Sequence, residues 1–241
     1  MSICLDSVSL VVPSIKLEDK VLKNFNFNGV QAQEKELLTD INLSLKNGTS
    51  YGLLGSNGAG KTTLLKVLMG LYAPTKGKIT TEGTVHGTVT TLGGYHPELS
   101  VFENLVMRAL VHVNDMKLAK EIAFDVLSFA DINVSIHEPF KNLSSGNQLR
   151  VGFAYATSLN ADNLLLDEIV AVGDYRFIQH AKKRLKNYLD ETTLFVLSSH
   201  VEDLQREFCE QGIVLKSGRI VYQGEIDDAI KIYHSKEYES L

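Results

Sequence analysis

Two stretches of the chain concentrate residue types that handle phosphate. Gly55-Ser56-Asn57-Gly58-Ala59-Gly60-Lys61-Thr62 carries glycine, lysine and threonine at every fixed position of the pattern G-x-x-x-x-G-K-[ST]. Glycines at those places let the backbone curl so that successive N–H groups point inward at phosphate oxygens. The helix that follows adds its positive end. Lys61 is then placed to reach β- and γ-phosphates, and the Thr62 hydroxyl to ligate Mg²⁺. Further on, Leu164-Leu165-Leu166-Asp167-Glu168 is an apolar run closed by two acids. A buried strand that delivers a carboxylate to its C-terminal edge suits Mg²⁺, because ligands gather at that edge of open parallel sheets. Asp167 fits the metal. Glu168 would stand beside the γ-phosphate, able to orient or deprotonate an attacking water. These residues alone imply a nucleoside triphosphatase.

The pattern along the chain supplies elements to hold them. Ile3–Val12 reads as a strand ending before Pro13, and the polar stretch Ser14–Glu36 follows. Leu17, Val21 and Phe25 in that stretch fall at helical spacing, so it reads as a solvated excursion or a short amphipathic helix. Leu37–Leu45 alternates as a second strand. Ser50–Leu54 runs as a buried strand into the glycine loop, and Thr62–Leu71 reads as a helix. Lys76-Gly77-Lys78 and Glu82-Gly83-Thr84 look like turns between short strands. From Leu99 to Leu159 the texture is helical, and strand-like runs return at Leu164–Leu166 and Leu194–Ser198. A hairpin turning at Lys216-Ser217-Gly218 precedes a last helix with Ile226, Ala229, Ile230 and Tyr233 on one face. Strands alternating with helices around a phosphate loop predict an α/β fold with a mostly parallel sheet.

Composition narrows the class. With 241 residues the chain buries a substantial core, and 44% hydrophobic with 22% charged residues is ordinary for a globular protein. A net charge of −5 argues against a nucleic-acid partner, which needs a basic stripe to neutralise phosphates. Cys4 and Cys209 have no metal-ligand spacing and read as reduced thiols. No apolar run is long enough to cross a bilayer, and the start of the chain meets Asp6 too early for an export signal, so any service to a membrane comes from outside the lipid.

The order of motifs resembles the ATP-binding-cassette family, over essentially the whole chain. Leu143-Ser144-Ser145-Gly146-Asn147-Gln148 stands just before the Asp167-Glu168 strand, where that family carries an LSGGQ signature. Taken bare, Ser144-Ser145-Gly146-Asn147 is equally a helix N-cap. The resemblance implies that Ser144, Ser145 and Gly146 meet the γ-phosphate held by a second copy, and that Asp174 crosses to that copy. It implies the same nucleotide contact for His200 in Ser198-Ser199-His200, and an ATP site formed by Ser56, Asn57, Gly58, Ala59, Gly60, Lys61, Thr62 and Thr63. His86, His112, His137, His180 and His234 read as surface or structural residues.

Two departures stand out. The stacking aromatic that the family places near the end of its first strand is absent from Ser9–Pro13. No glutamine lies between Gln33 and Gln148, where the family joins its core to a helical lobe. Leu92–Asn104 fills that place; Tyr95, His96 and Phe102 there either pack under the helical lobe or face a membrane partner. Thr91–Asn104, the Ser-Ser-Gly signature and Asp167–Asp174 are similar to the branch that exports O-antigen, capsule or teichoic acid.

The resemblance therefore implies one cassette over residues 1–241. Its core and β lobe are expected at about 1–95 and 160–241, its helical lobe at about 96–159, with no C-terminal carbohydrate-binding domain. The implied function is an ATP-hydrolysing motor: a homodimer around two Mg²⁺-ATP, at the cytoplasmic face of the bacterial inner membrane. It would drive a separate permease dimer that moves a lipid-linked polysaccharide. A soluble cassette protein of translation or DNA repair would carry two cassettes or a long coiled coil, and neither is present. An ATP-binding regulatory module is suggested by the missing glutamine and opposed by Glu168 and His200.

Overall fold

The computed structural model describes residues 3–15, 32–88, 94–132, 134–167, 174–190, 192–235 and 238. Within them a six-stranded sheet runs in the order β5(Val85–Thr88), β6(Asn163–Asp167), β7(Leu194–Ser198), β3(Thr49–Leu54), β8(Gln211–Lys216), β9(Arg219–Glu225). All neighbours are parallel except the β8–β9 hairpin. Parallel strands covered on both faces read as continuous apolar runs, and alternation then sorts their side chains. Leu165, Val196, Ile213 and Leu215 enter one core; Leu164, Leu166, Phe195, Leu197 and Val214 enter the other.

The first core lies between that sheet, helix α1(Lys61–Leu68) and a three-stranded antiparallel sheet ordered β2(Ala32–Leu45), β1(Ile3–Ile15), β4(Lys76–Thr81). The second is closed by α5(Tyr175–Leu189), α6(Glu202–Phe208) and α7(Ile226–Tyr233), whose apolar faces supply Phe177, Ala181 and Leu185, Leu204 and Phe208, and Ala229 and Ile230. A third core belongs to α2(Val101–Val113), α3(Met116–Ala130) and α4(Ser145–Ala156). The start of α2 is a capping box: the Ser100 hydroxyl accepts from Glu103 N–H at 3.2 Å, and the Glu103 carboxylate accepts from Ser100 N–H at 2.8 Å. No helix among the described residues is long and apolar enough to cross a membrane.

Three sequence readings change. β1 continues through Pro13 to Ile15, and β2 begins at Ala32, inside the stretch read as a polar excursion. β4 pairs with β1 only as far as Ser9, so Pro13 sits where β1 has β2 alone as its neighbour and its missing N–H leaves no ladder bond unmade. This two-stranded extension is held by backbone pairing, and it needs no apolar stripe to announce it. Residues 16–31, with the possible helix at Leu17–Phe25, lie outside the described residues. Gly77 lies inside β4 rather than in a turn: its φ of 79° accompanies a register shift against β1, and a Cβ there would come within 2.3 Å of the Ser7 carbonyl oxygen. The hairpin turn falls as read, with Ser217 and Gly218 both at positive φ (48° and 75°).

The register fixes where the chemistry gathers. Leu53 is level with Ser198, and Ser198 with Asp167, so β3, β7 and β6 end in one row. The glycine loop leaves from that row.

Candidate nucleotide site

Leu54 closes β3 and the chain turns at once through Gly55–Gly60 into α1. Gly55 lies where a Cβ would be 2.6 Å from the Leu215 carbonyl oxygen of β8, so a side chain there would push the loop off the sheet. The loop is also held from the hairpin: Gly218 N–H donates to the Ala59 carbonyl at 2.8 Å, and Thr39 N–H to the Gly218 carbonyl at 2.8 Å. Lys61 is 7% exposed, and its ammonium donates to the Gly55 carbonyl at 2.6 Å and the Ser56 carbonyl at 3.3 Å. It is thus folded back across the loop it belongs to. The cleft above, about 400 Å³, is lined by Ser56, Asn57, Gly58, Gly60, Lys61, Thr62 and Thr63. Ser217 and Gly218 form another wall, and Lys35, Glu36 and Leu37 of β2 form the far end. Ala59 is buried beneath the loop instead of lining the cleft.

Thr62 and Asp167, 105 residues apart, meet: the Thr62 hydroxyl donates to Asp167 Oδ2 at 2.7 Å. Two hard oxygen donors at that separation match adjacent corners of an octahedron with metal–oxygen bonds of about 2.0–2.1 Å, the geometry Mg²⁺ demands. Ser198 Oγ and Thr88 Oγ1, at the C-terminal ends of β7 and β5, are buried with no hydrogen-bond partner among the described residues. His200 lies two residues beyond Ser198 on the same rim and is exposed. Glu168, expected beside the γ-phosphate, lies outside the described residues.

The remaining expected residues stand apart from the cleft. Ser144, Ser145 and Gly146 do not line it. Ser144 caps α4, its hydroxyl accepting from Asn147 N–H at 3.2 Å, so the helix-cap reading of this segment holds whatever else it does. Among the described residues, nothing beyond its chain neighbours and its own helix backbone comes within 4 Å of where a Gly146 side chain would begin. Asp174 caps α5, accepting from Phe177 N–H at 2.9 Å, and pairs with Arg150 at 2.8 Å. The Phe177 N–H and then the Arg150 guanidinium hold its carboxyl below the usual carboxylate range. Arg150 thereby ties α4 to the start of α5. Sequence reading passed over Arg150, because nothing local marks one helical arginine out.

In the segment ahead of α2, residues 91–93 lie outside the described residues. Tyr95 turns inward: its ring stacks on Phe140 at 4.2 Å, and the Arg108 guanidinium lies over it at 4.5 Å. His96 is exposed. Arg108 also lies over Tyr155 at 4.7 Å. His86 of β5 packs nearby, 5.0 Å from the His112 ring and 5.6 Å from that of Tyr155. Burial first, then His112 and Arg108, push the His86 imidazole down to about 4. This polar and aromatic group joins the helical unit to the edge of the main sheet.

The sequence profile of ABC transporters matches residues 38–171, from within β2 to four residues past β6. The chain belongs to the ABC transporter family. Its relatives include the O-antigen export system ATP-binding protein RfbE of Yersinia enterocolitica, 36% identical over 191 residues and covering 79% of each chain. The polysialic acid transport ATP-binding protein KpsT of Escherichia coli is 34% identical over 203 residues, 84% of this chain and 89% of the relative. The teichoic acids export ATP-binding protein TagH of Bacillus cereus is 31% identical over 206 residues, which make up 85% of this chain but only 37% of the relative's length. Among solved structures, the dimeric post-hydrolysis ATP-binding cassette MJ0796 bound to ADP and Pi superposes with a TM-score of 0.75 at 20% identity, over 93% of this chain and 98% of that one. The fold is that of an ATP-binding-cassette ATPase.

Proposed function

We propose that this chain is the ATP-hydrolysing motor of an exporter that moves a lipid-linked polysaccharide through a separate membrane permease. The contact that carries the reading is the one between Thr62 and Asp167 at 2.7 Å, with Lys61 folded beside it in a glycine cradle. That trio is what a Mg²⁺-triphosphate requires, and the relatives supply the class of cargo. In this reading, Lys61 leaves its carbonyl partners for the β- and γ-phosphates when nucleotide enters. Thr62 and Asp167 would hold Mg²⁺, which when bound would neutralise charge developing on the phosphoryl group. Glu168 takes the proton of the attacking water as its oxygen bonds the γ-phosphorus and the bond to the bridging oxygen breaks, releasing ADP. His200 contacts the γ-phosphate from the rim.

The site is half-built in one copy. Ser144–Gly146 lie away from the cleft, and Gly146 faces open space, as expected of residues that complete the site of a second copy. Two copies would thus close on two nucleotides, with the Asp174–Arg150 pair conveying closure to α4. The motor would sit on the cytoplasmic face of the membrane, bound to a permease dimer. The test is reconstitution: this chain with its permease in proteoliposomes should move a lipid-linked glycan only with hydrolysable ATP. ATP turnover without glycan movement, for every surface glycan of the host, would reject the cargo and leave the ATPase standing.

A further inference from the structure

Tyr238 belongs to none of the motifs above, yet its side chain reaches the phosphate loop. The residue is 6% exposed and follows α7. Its ring packs edge-on against Tyr233 at 5.2 Å, under the Lys216 ammonium at 4.9 Å. The same ammonium donates to the Tyr238 carbonyl, and Tyr238 N–H donates to Ser235 Oγ at 3.2 Å. The ring is therefore set by packing and by its own backbone. Its hydroxyl accepts from Ser56 N–H at 3.0 Å and donates to the Leu215 carbonyl at 3.0 Å, with Ser56 Oγ at 3.3 Å.

Ser56 N–H and the Gly55 carbonyl are the two ends of one peptide group. In a trans peptide they point in opposite directions from a common plane. Here the N–H end is taken by Tyr238 and the carbonyl end accepts from Lys61 Nζ at 2.6 Å. The plane is flanked by Gly55, which restrains its rotation less than any other residue type. A partner that fixes the N–H fixes the direction of the carbonyl, and with it the place where the ammonium rests before nucleotide arrives. The Leu215 carbonyl that receives the Tyr238 proton also presses against Gly55 from below, so β8, the loop and Tyr238 meet at one joint.

We propose that Tyr238 is a positioning residue for triphosphate binding: its hydroxyl sets the Gly55–Ser56 peptide plane and, through the Gly55 carbonyl, the Lys61 ammonium. This rests on the reading of the loop as an ATP site. The rival account is that Tyr238 only fastens the end of the chain to the core.

Tyr238→Phe separates the two, because it keeps the ring between Tyr233 and Lys216 and removes one oxygen. Affinities for Mg²⁺-ATP and ADP would be measured by calorimetry on the purified chain and on Tyr238→Phe, Lys61→Ala and the double variant, with thermal unfolding of each alongside. Tyr238→Phe should weaken ATP by about tenfold, the upper end for one lost hydrogen bond. ADP, which lacks the γ-phosphate, should weaken less. In the Lys61→Ala background the same substitution should change ATP affinity by less than about twofold, since contacts that act through one another are not additive. Unchanged ATP affinity in Tyr238→Phe, or the same loss with and without Lys61, would overturn the proposal. A wild-type chain that binds no ATP would instead overturn the reading of the loop.

Discussion

Lowering the pH should destabilise this protein in a window where its carboxylates are still ionised, and His86 should be the main cause. The imidazole is 7% exposed, with the His112 ring, the Arg108 guanidinium and Tyr155 around it, and its pKa lies near 4 against 6.5 for the free side chain. Below pH 6.5 the unfolded chain takes up a proton that the folded chain refuses until about pH 4. Unfolding is therefore favoured as pH falls, and the stability is present above the unfolded value. Integrating those two constants from pH 7.5 to 5 gives a loss of about 2 kcal/mol, rising to about 3 kcal/mol at pH 4. His112 is shifted in the same direction by burial and Arg108, and adds to the slope. Urea unfolding at pH 7.5, 6 and 5, followed by circular dichroism, measures the loss as a shift of midpoint at constant slope. His86→Leu cannot titrate, and its stability should fall by about 2 kcal/mol less over the same interval. A His86→Leu chain whose pH dependence parallels the wild type would refute the reasoning and place the imidazole in contact with water.

Nucleotide selection should be loose: with no stacking ring at the end of β1, GTP should compete with ATP within about tenfold in a fluorescent-nucleotide displacement assay. Strong preference for ATP would assign base reading to Lys35–Leu37, which line the far end of the cleft. Tyr95→Ala removes a ring stacked on Phe140 and covered by Arg108, and should cost about 3 kcal/mol in urea unfolding. His96→Ala should cost less than about 0.5 kcal/mol, as for other exposed positions. Similar losses from both would mean that Tyr95 is not held as described.

The parts of this structure that were legible in the sequence are those with a local signature. The glycine loop announces itself because phosphate binding fixes four residue types within eight consecutive positions, and β6 and β7 because strands buried on both faces are largely apolar. The turn at Ser217-Gly218 was readable for a similar reason, since two successive positive φ angles favour particular residues. Pro13 and Gly77 misled because each was read as punctuation. Each is tolerated inside a strand by its surroundings, a missing neighbour in one case and a register shift in the other. Arg150, Arg108 and Tyr238 were invisible for a different reason. Each acts through long-range contacts; Tyr238 and Ser56 are 182 positions apart, and no spacing rule connects them. The expectation that a second copy completes the site came only through resemblance: Ser144, Ser145 and Gly146 do not line the cleft of their own chain.

Mg²⁺-ATP turnover of Glu168→Gln, compared with wild type under saturating nucleotide, tests the central claim most directly. The substitution keeps size and hydrogen-bonding capacity while removing the base. If this chain hydrolyses ATP with Glu168 activating the water, turnover should fall by about 10²–10⁴-fold while ATP is still bound. Turnover equal to that of the wild type would contradict the account and remove Glu168 from the chemistry.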